Sequence, residues 1–98
     1  MSDYSVLAGP IRFVNKNDSR EQRTSAITER TGSDGSKTYA LHTRFYKEGK
    51  EEKRATQLVE DLNTALIRFS TNNELYIAEG FENKGIGNAT KGEAPVQA

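Results

Sequence analysis

The sequence contains no cysteine. Disulfides, thiolate metal sites and cysteine nucleophiles are therefore excluded. It has a single histidine, His42, which has neither a second histidine nor a cysteine to share a metal with. No stretch approaches the roughly 20 consecutive apolar residues that a membrane-spanning helix needs. The opening MSDYSVLAGP carries an acidic residue and no apolar run of secretory length. The expected compartment is cytoplasmic, with no membrane partner. Net charge is also lacking: 14 Lys and Arg balance 14 Asp and Glu, which gives no global bias toward nucleic acid or membrane.

Catalytic patterns are missing as well. Glu51-Glu52 and Glu60-Asp61 are adjacent in sequence, so on a helix they diverge by about 100° instead of converging on one substrate. No nucleophile and base stand at a telling spacing. Gly85-Ile86-Gly87 and Lys91-Gly92 do not form a phosphate loop. The Walker pattern needs Gly-Lys-Ser/Thr opening a helix; here the lysine precedes Gly92 and Ala94-Pro95 follows. The expectation is a protein that is not an enzyme and holds no cofactor and no metal.

What is present is a chain of 98 residues, 34% hydrophobic and 29% charged, enough for one domain with a thin core. Association of copies is a natural way for such a chain to bury more apolar surface. The charges are unevenly spread. Residues 1–54 hold 11 Lys and Arg against 8 Asp and Glu, and residues 55–98 hold 3 against 6. A basic half and an acidic half predict a dipolar molecule.

Three segments read as strands before any helix. Val6 to Asn15 alternates, with Leu7, Gly9, Ile11 and Phe13 on one face, and Pro10 marks it as an edge strand or a late start. Glu21 to Thr31 is rich in Thr and poor in apolar residues. It reads as a strand solvated on both faces, with weakly specified register, available to pair with another chain. Asp34-Gly35 predicts a hairpin. Lys37 to Lys47 then alternates cleanly: Tyr39, Leu41, Thr43 and Phe45 form the more apolar face and are assigned to the core. Thr38, Ala40, His42, Arg44 and Tyr46 face the other way.

Ala55, Leu58, Val59, Leu62, Ala65, Leu66 and Phe69 follow helical spacing, which predicts one amphipathic helix over Glu51–Phe69. Asn72 or Asn73 would cap it. Glu74 to Phe81 reads as a fourth strand, and residues 83–98 as a flexible tail after a single domain over 1–82. The predicted class is α+β, an antiparallel sheet of about four strands in the order β-β-β-α-β with the helix on one face and a disordered C-terminal tail.

The uncovered sheet face then gathers Arg12, His42, Arg44, Tyr46 and Tyr76, with Arg23 or Arg30 joining according to register and Lys47 widening the rim. Aromatic rings among arginines suit single-stranded nucleic acid, because bases stack on rings and guanidinium groups meet phosphates. The predicted function is a small binder of single-stranded nucleic acid. The alternative is a protein-interaction module, an inhibitor or adaptor acting through strand pairing or dimerisation. Ile27, on the solvated strand, and Ile67, which points away from the helix's apolar face, are the candidate oligomer contacts of a possible homodimer. In outline the arrangement resembles PUR-domain proteins, small single-strand binders whose curved sheets are backed by helices. Their helix follows four strands, whereas this sequence reads a strand after the helix, and no motif of that family can be placed on it residue by residue.

Overall fold

The computed structural model describes residues 3–90. Six elements follow one another: β1 (Asp3–Asn15), β2 (Asp18–Thr31), β3 (Lys37–Lys47), β4 (Lys50–Val59), α1 (Leu62–Ala78) and β5 (Phe81–Ile86). The strands form one antiparallel sheet in the order β4-β3-β2-β1-β5. The predicted class is observed, with five strands and one helix among the described residues. Four strands precede the helix, and a fifth, β5, follows it.

The two hairpins around β3 have different legibility. Asp34-Gly35 turns β2 into β3 as expected, with Gly35 at φ 86° and Asp34 Oδ1 accepting from the Ser36 N–H at 3.0 Å. Glu48 and Gly49, at φ 54° and 83°, form a two-residue turn of the kind that fits strand twist. That turn sends the chain back along β3, so Lys50–Val59 pairs with it from Lys47↔Lys50 to Tyr39↔Val59. Here the helical reading of Glu51–Phe69 is corrected. An unpaired edge of β3 offers a ladder of backbone hydrogen bonds, and β4 takes it. Helical spacing across 55–69 joins a strand to a helix.

The helix starts at Leu62 because Asp61 caps it, accepting from the Thr64 N–H at 2.9 Å and from the Thr64 hydroxyl at 3.0 Å. These bonds hold the Asp61 carboxyl below its usual pKa. The helix continues through Asn72 and Asn73, which were expected to end it, and the Glu74–Phe81 strand is replaced by its last turns followed by β5. Leu62, Ala65, Phe69 and Tyr76 bring its buried side onto the sheet in two clusters. One is Ile27, Leu41, Val59 and Ala65 with Ala8, Tyr39 and Phe69. The other is Phe13, Tyr76 and Phe81 with Ile11 and Phe45. Tyr39, Leu41 and Phe45 thus face the core, as their alternation indicated.

One further expectation is overturned and one is narrowed. The strand read as solvated on both faces is the central one, and Ile27 is fully buried beneath the helix. Its polar composition misled, because Gln22, Thr24, Ser25 and Thr28 are buried with it. Ile27 therefore cannot be an oligomer contact. The expected tail is ordered at its start, where residues 83–86 pair with β1. Its last part, residues 91–98, lies outside the described residues. Among those residues no helix is long and apolar enough to cross a membrane.

Candidate functional site

Strand register decides what the face opposite the helix displays. Arg12 stands across from Thr24, Thr24 from Arg44, and Arg44 from Arg54. Directly paired residues share a face, so three arginines lie in one row across β1, β3 and β4, with a threonine between. Adjacent strands are about 4.8 Å apart, so the row spans roughly 14 Å. The next row along is Ala26, His42 and Thr56, and the one after is Thr28, Ala40 and Leu58. Behind the arginines comes Val14, Gln22, Tyr46 and Glu51.

Of the residues singled out from the sequence, Arg12, His42, Arg44 and Tyr46 share this face. Arg30 belongs to it and Arg23 does not. Arg23 pairs with Phe13 and Phe45 on the helix side, where its guanidinium lies over Phe45, Tyr76 and Phe81 with its carbon 4.2–4.7 Å from the ring centroids. It also pairs with Glu79. Tyr76 is likewise a correction: it lies on the helix, 3% exposed, packed edge-on against Phe13 and Phe45. The strand expected to display it is helix, and its ring is core. Lys47 is exposed at the end of β3, opposite Glu21 and Lys50, on the rim and not within the face. Ile67 does point outward, 59% exposed.

Sequence reasoning missed Arg54, Glu51 and Gln22 as members of the face. Arg54 and Glu51 were hidden by the helical reading of their segment. Glu51 accepts from Arg54 Nε and Nη2, each at 3.0 Å, and lies 3.7 Å from Arg44 Nε. The Arg54 hydrogen bonds, with the charges of Arg54 and Arg44, hold the Glu51 carboxyl below its usual pKa. One carboxylate thus orients two guanidinium groups that both remain partly exposed. Gln22 is buried by the chain after β5. Its Nε2 donates to the Ser19 carbonyl and the Thr90 hydroxyl, and its Oε1 accepts from the Thr90 N–H at 2.9 Å. Arg12 Nη1 also reaches the Thr90 hydroxyl, at 3.4 Å. Residues 87–90 therefore close one end of the face, and no spacing in the sequence signals that contact.

Compared with protein-family models, with curated proteins and with solved structures, the chain matches none. The reading of the face rests on its own chemistry.

His42 sits at the centre. Its Nε2 is 2.8 Å from the Thr28 hydroxyl and its Nδ1 3.4 Å from the Thr56 hydroxyl. Partial burial, then the charges of Arg44 and Arg54, lower its pKa from the ordinary 6.5. It is therefore mainly neutral at pH 7, offering one N–H donor and one acceptor. Beside it lies a concavity of about 560 Å³ lined on this face by Thr28, Arg30, Thr38, Ala40, Thr56 and Leu58, and reaching past the end of β4 to Tyr39, Val59 and Glu60. Among the described residues no three His, Asp or Glu side chains gather as a metal site would require.

Proposed function

We propose that this protein is a small, non-enzymatic binder of single-stranded nucleic acid, acting through the sheet face opposite the helix. The observation that carries the reading is the row Arg12, Thr24, Arg44 and Arg54. Three guanidinium groups in register, interrupted only by a short side chain, suit a polyanion crossing the strands. Tyr46, half-buried beside the row, offers a ring for a base to stack on. His42 bonds Thr28, whose side chain is buried, so that contact presents no exposed nucleophile for catalysis.

With Arg30 at the far rim, four cations line the face, of which Arg54 is ion-paired to Glu51, so about three to four can meet phosphates. Single strands then give a slope of log affinity against log salt of about −2 to −3. The test is fluorescence anisotropy of a labelled oligothymidylate across a salt series. Arg44→Gln and Arg54→Gln should each weaken binding and make the slope shallower. Affinity that does not change between low and high salt would refute the reading.

A second reading is supported by the exposed surface of α1, where Ile67 on the outer side and Leu66, Leu75 and Ile77 on its flanks are each 43–59% exposed. A helix with this much exposed apolar surface suits contact with another protein or a second copy. Light scattering of the full chain separates the two: a dimer that Ile67→Glu dissociates would support it, and a monomer at all concentrations would leave the sheet face as the working surface.

A further inference from the structure

We propose that the concavity beside the arginine row receives one unstacked base of the strand whose phosphates that row holds. The inference rests on the nucleic-acid reading above and adds to it a division of labour between two parts of the face.

The spacing is set by the pleat. Along β3 and β4, side chains on one face recur every second residue, about 6.6–6.8 Å apart. Arg44 and Arg54 form one row, His42 and Thr56 the next, Ala40 and Leu58 the third. A nucleotide whose phosphate lies on the arginines has its base one to two rows away, over the concavity. Its volume of about 560 Å³ lies in the range of sites that hold small ligands, ~300–1,000 Å³.

The walls suit a heteroaromatic ring. Ala40 is small and buried, which leaves the depression between its taller neighbours. Leu58 is 77% exposed on a strand, an apolar surface placed where a ring can lie against it. Thr28, His42 and Thr56 form a chain of hydrogen-bonding groups across three strands. The Thr56 link is loose at 3.4 Å, so its hydroxyl can turn to a ligand. Hydroxyls rotate between donor and acceptor roles, so this edge accepts different bases without demanding one. Arg30, exposed at the rim, stands three rows from the arginines, about 20 Å, where a later phosphate of the strand would pass.

The experiment compares three probes of equal length and charge on the full chain: oligothymidylate, oligouridylate and an abasic oligomer that keeps the phosphates but has no bases. If a base is seated, either base-containing strand binds more tightly than the abasic one by about fivefold to a hundredfold. Leu58→Ser should reduce that ratio toward one while leaving the abasic affinity unchanged. Because Leu58 is exposed, the variant keeps the fold, and thermal melting checks this. His42→Gln serves as a second variant with the same expectation. Base-containing and abasic strands bound equally, with salt dependence intact, would overturn the pocket and leave the arginine row standing. A ratio that survives both substitutions would overturn it too, by placing the base elsewhere. No binding of any of the three probes would overturn the nucleic-acid reading itself.

Discussion

Replacing Arg23 by methionine tests the side of the sheet on which its charge works. Composition alone puts Arg23 among the nucleic-acid contacts, whereas the fold puts it over three rings beneath the helix. Its guanidinium carbon lies 4.6 Å from the Phe45 centroid, 4.7 Å from that of Tyr76 and 4.2 Å from that of Phe81. A cation over one ring contributes about 0.5–1 kcal/mol when exposed and about 2 kcal/mol when desolvated. The Arg23 side chain is 17% exposed, and three rings share one charge, so about 2 kcal/mol in total is a reasonable sum. The Glu79 partner is far more exposed, which limits that ion pair to about 0–1 kcal/mol. Methionine keeps most of the apolar stem. Arg23→Met should therefore cost about 2 kcal/mol, a drop in Tm of roughly 8–16 °C for a domain of this size. Glu79→Gln should cost under about 1 kcal/mol. Urea unfolding measures both, and oligonucleotide binding by the folded variant should match the wild type. A stability change below about 0.5 kcal/mol together with lost binding would refute the reasoning and return Arg23 to the open face.

Three further outcomes follow from named contacts. Glu51→Gln should raise affinity for an oligothymidylate severalfold and steepen its salt dependence, because Glu51 occupies Arg54 and lies beside Arg44; anisotropy at several salt concentrations reads this, and weaker binding would mean that Glu51 chiefly positions the arginines. For His42, whose pKa is lowered in the folded protein by burial and then by Arg44 and Arg54, the unfolded chain binds the proton more readily. Its stabilising contribution is present above about pH 6.5 and is lost as pH falls through the lower folded value, so urea midpoints should drop between pH 7 and pH 5 in the wild type and stay flatter in His42→Gln. Gly9→Ala should destabilise strongly, by about 2 kcal/mol or more, because Gly9 sits at φ 80° and an added Cβ would stand 2.4 Å from the Ser25 carbonyl oxygen; an unchanged Tm would contradict this close approach.

Much of the sheet was legible because alternation is a local property. The two sets of β3 side chains, the Asp34-Gly35 hairpin and the placement of Arg12, His42, Arg44 and Tyr46 opposite the helix all follow from a period of two along single segments. The outward direction of Ile67 followed from the helical wheel, even though the helix begins at Leu62 and not at Glu51, since it depends on angular differences and not on where the helix begins.

Tertiary structure alone decided the rest. Residues 50–59 carry a spacing that fits a helix, yet the free edge of β3 and the Glu48-Gly49 turn make them a strand, because hydrogen bonds to a distant partner are not written into local periodicity. The same pairing brings Arg54 and Glu51 into the arginine row. Arg23 and Tyr76 read as surface residues until the helix crosses the sheet and buries the ring under the guanidinium. Ile27 looked exposed because its strand is polar, and it is buried because the helix lies over its face and packs Ala65 against it. The sequence by itself therefore determined which side chains share a face within each segment. Which segments lie next to one another, and so which charges act together, depended on long-range backbone pairing that only the folded chain specifies.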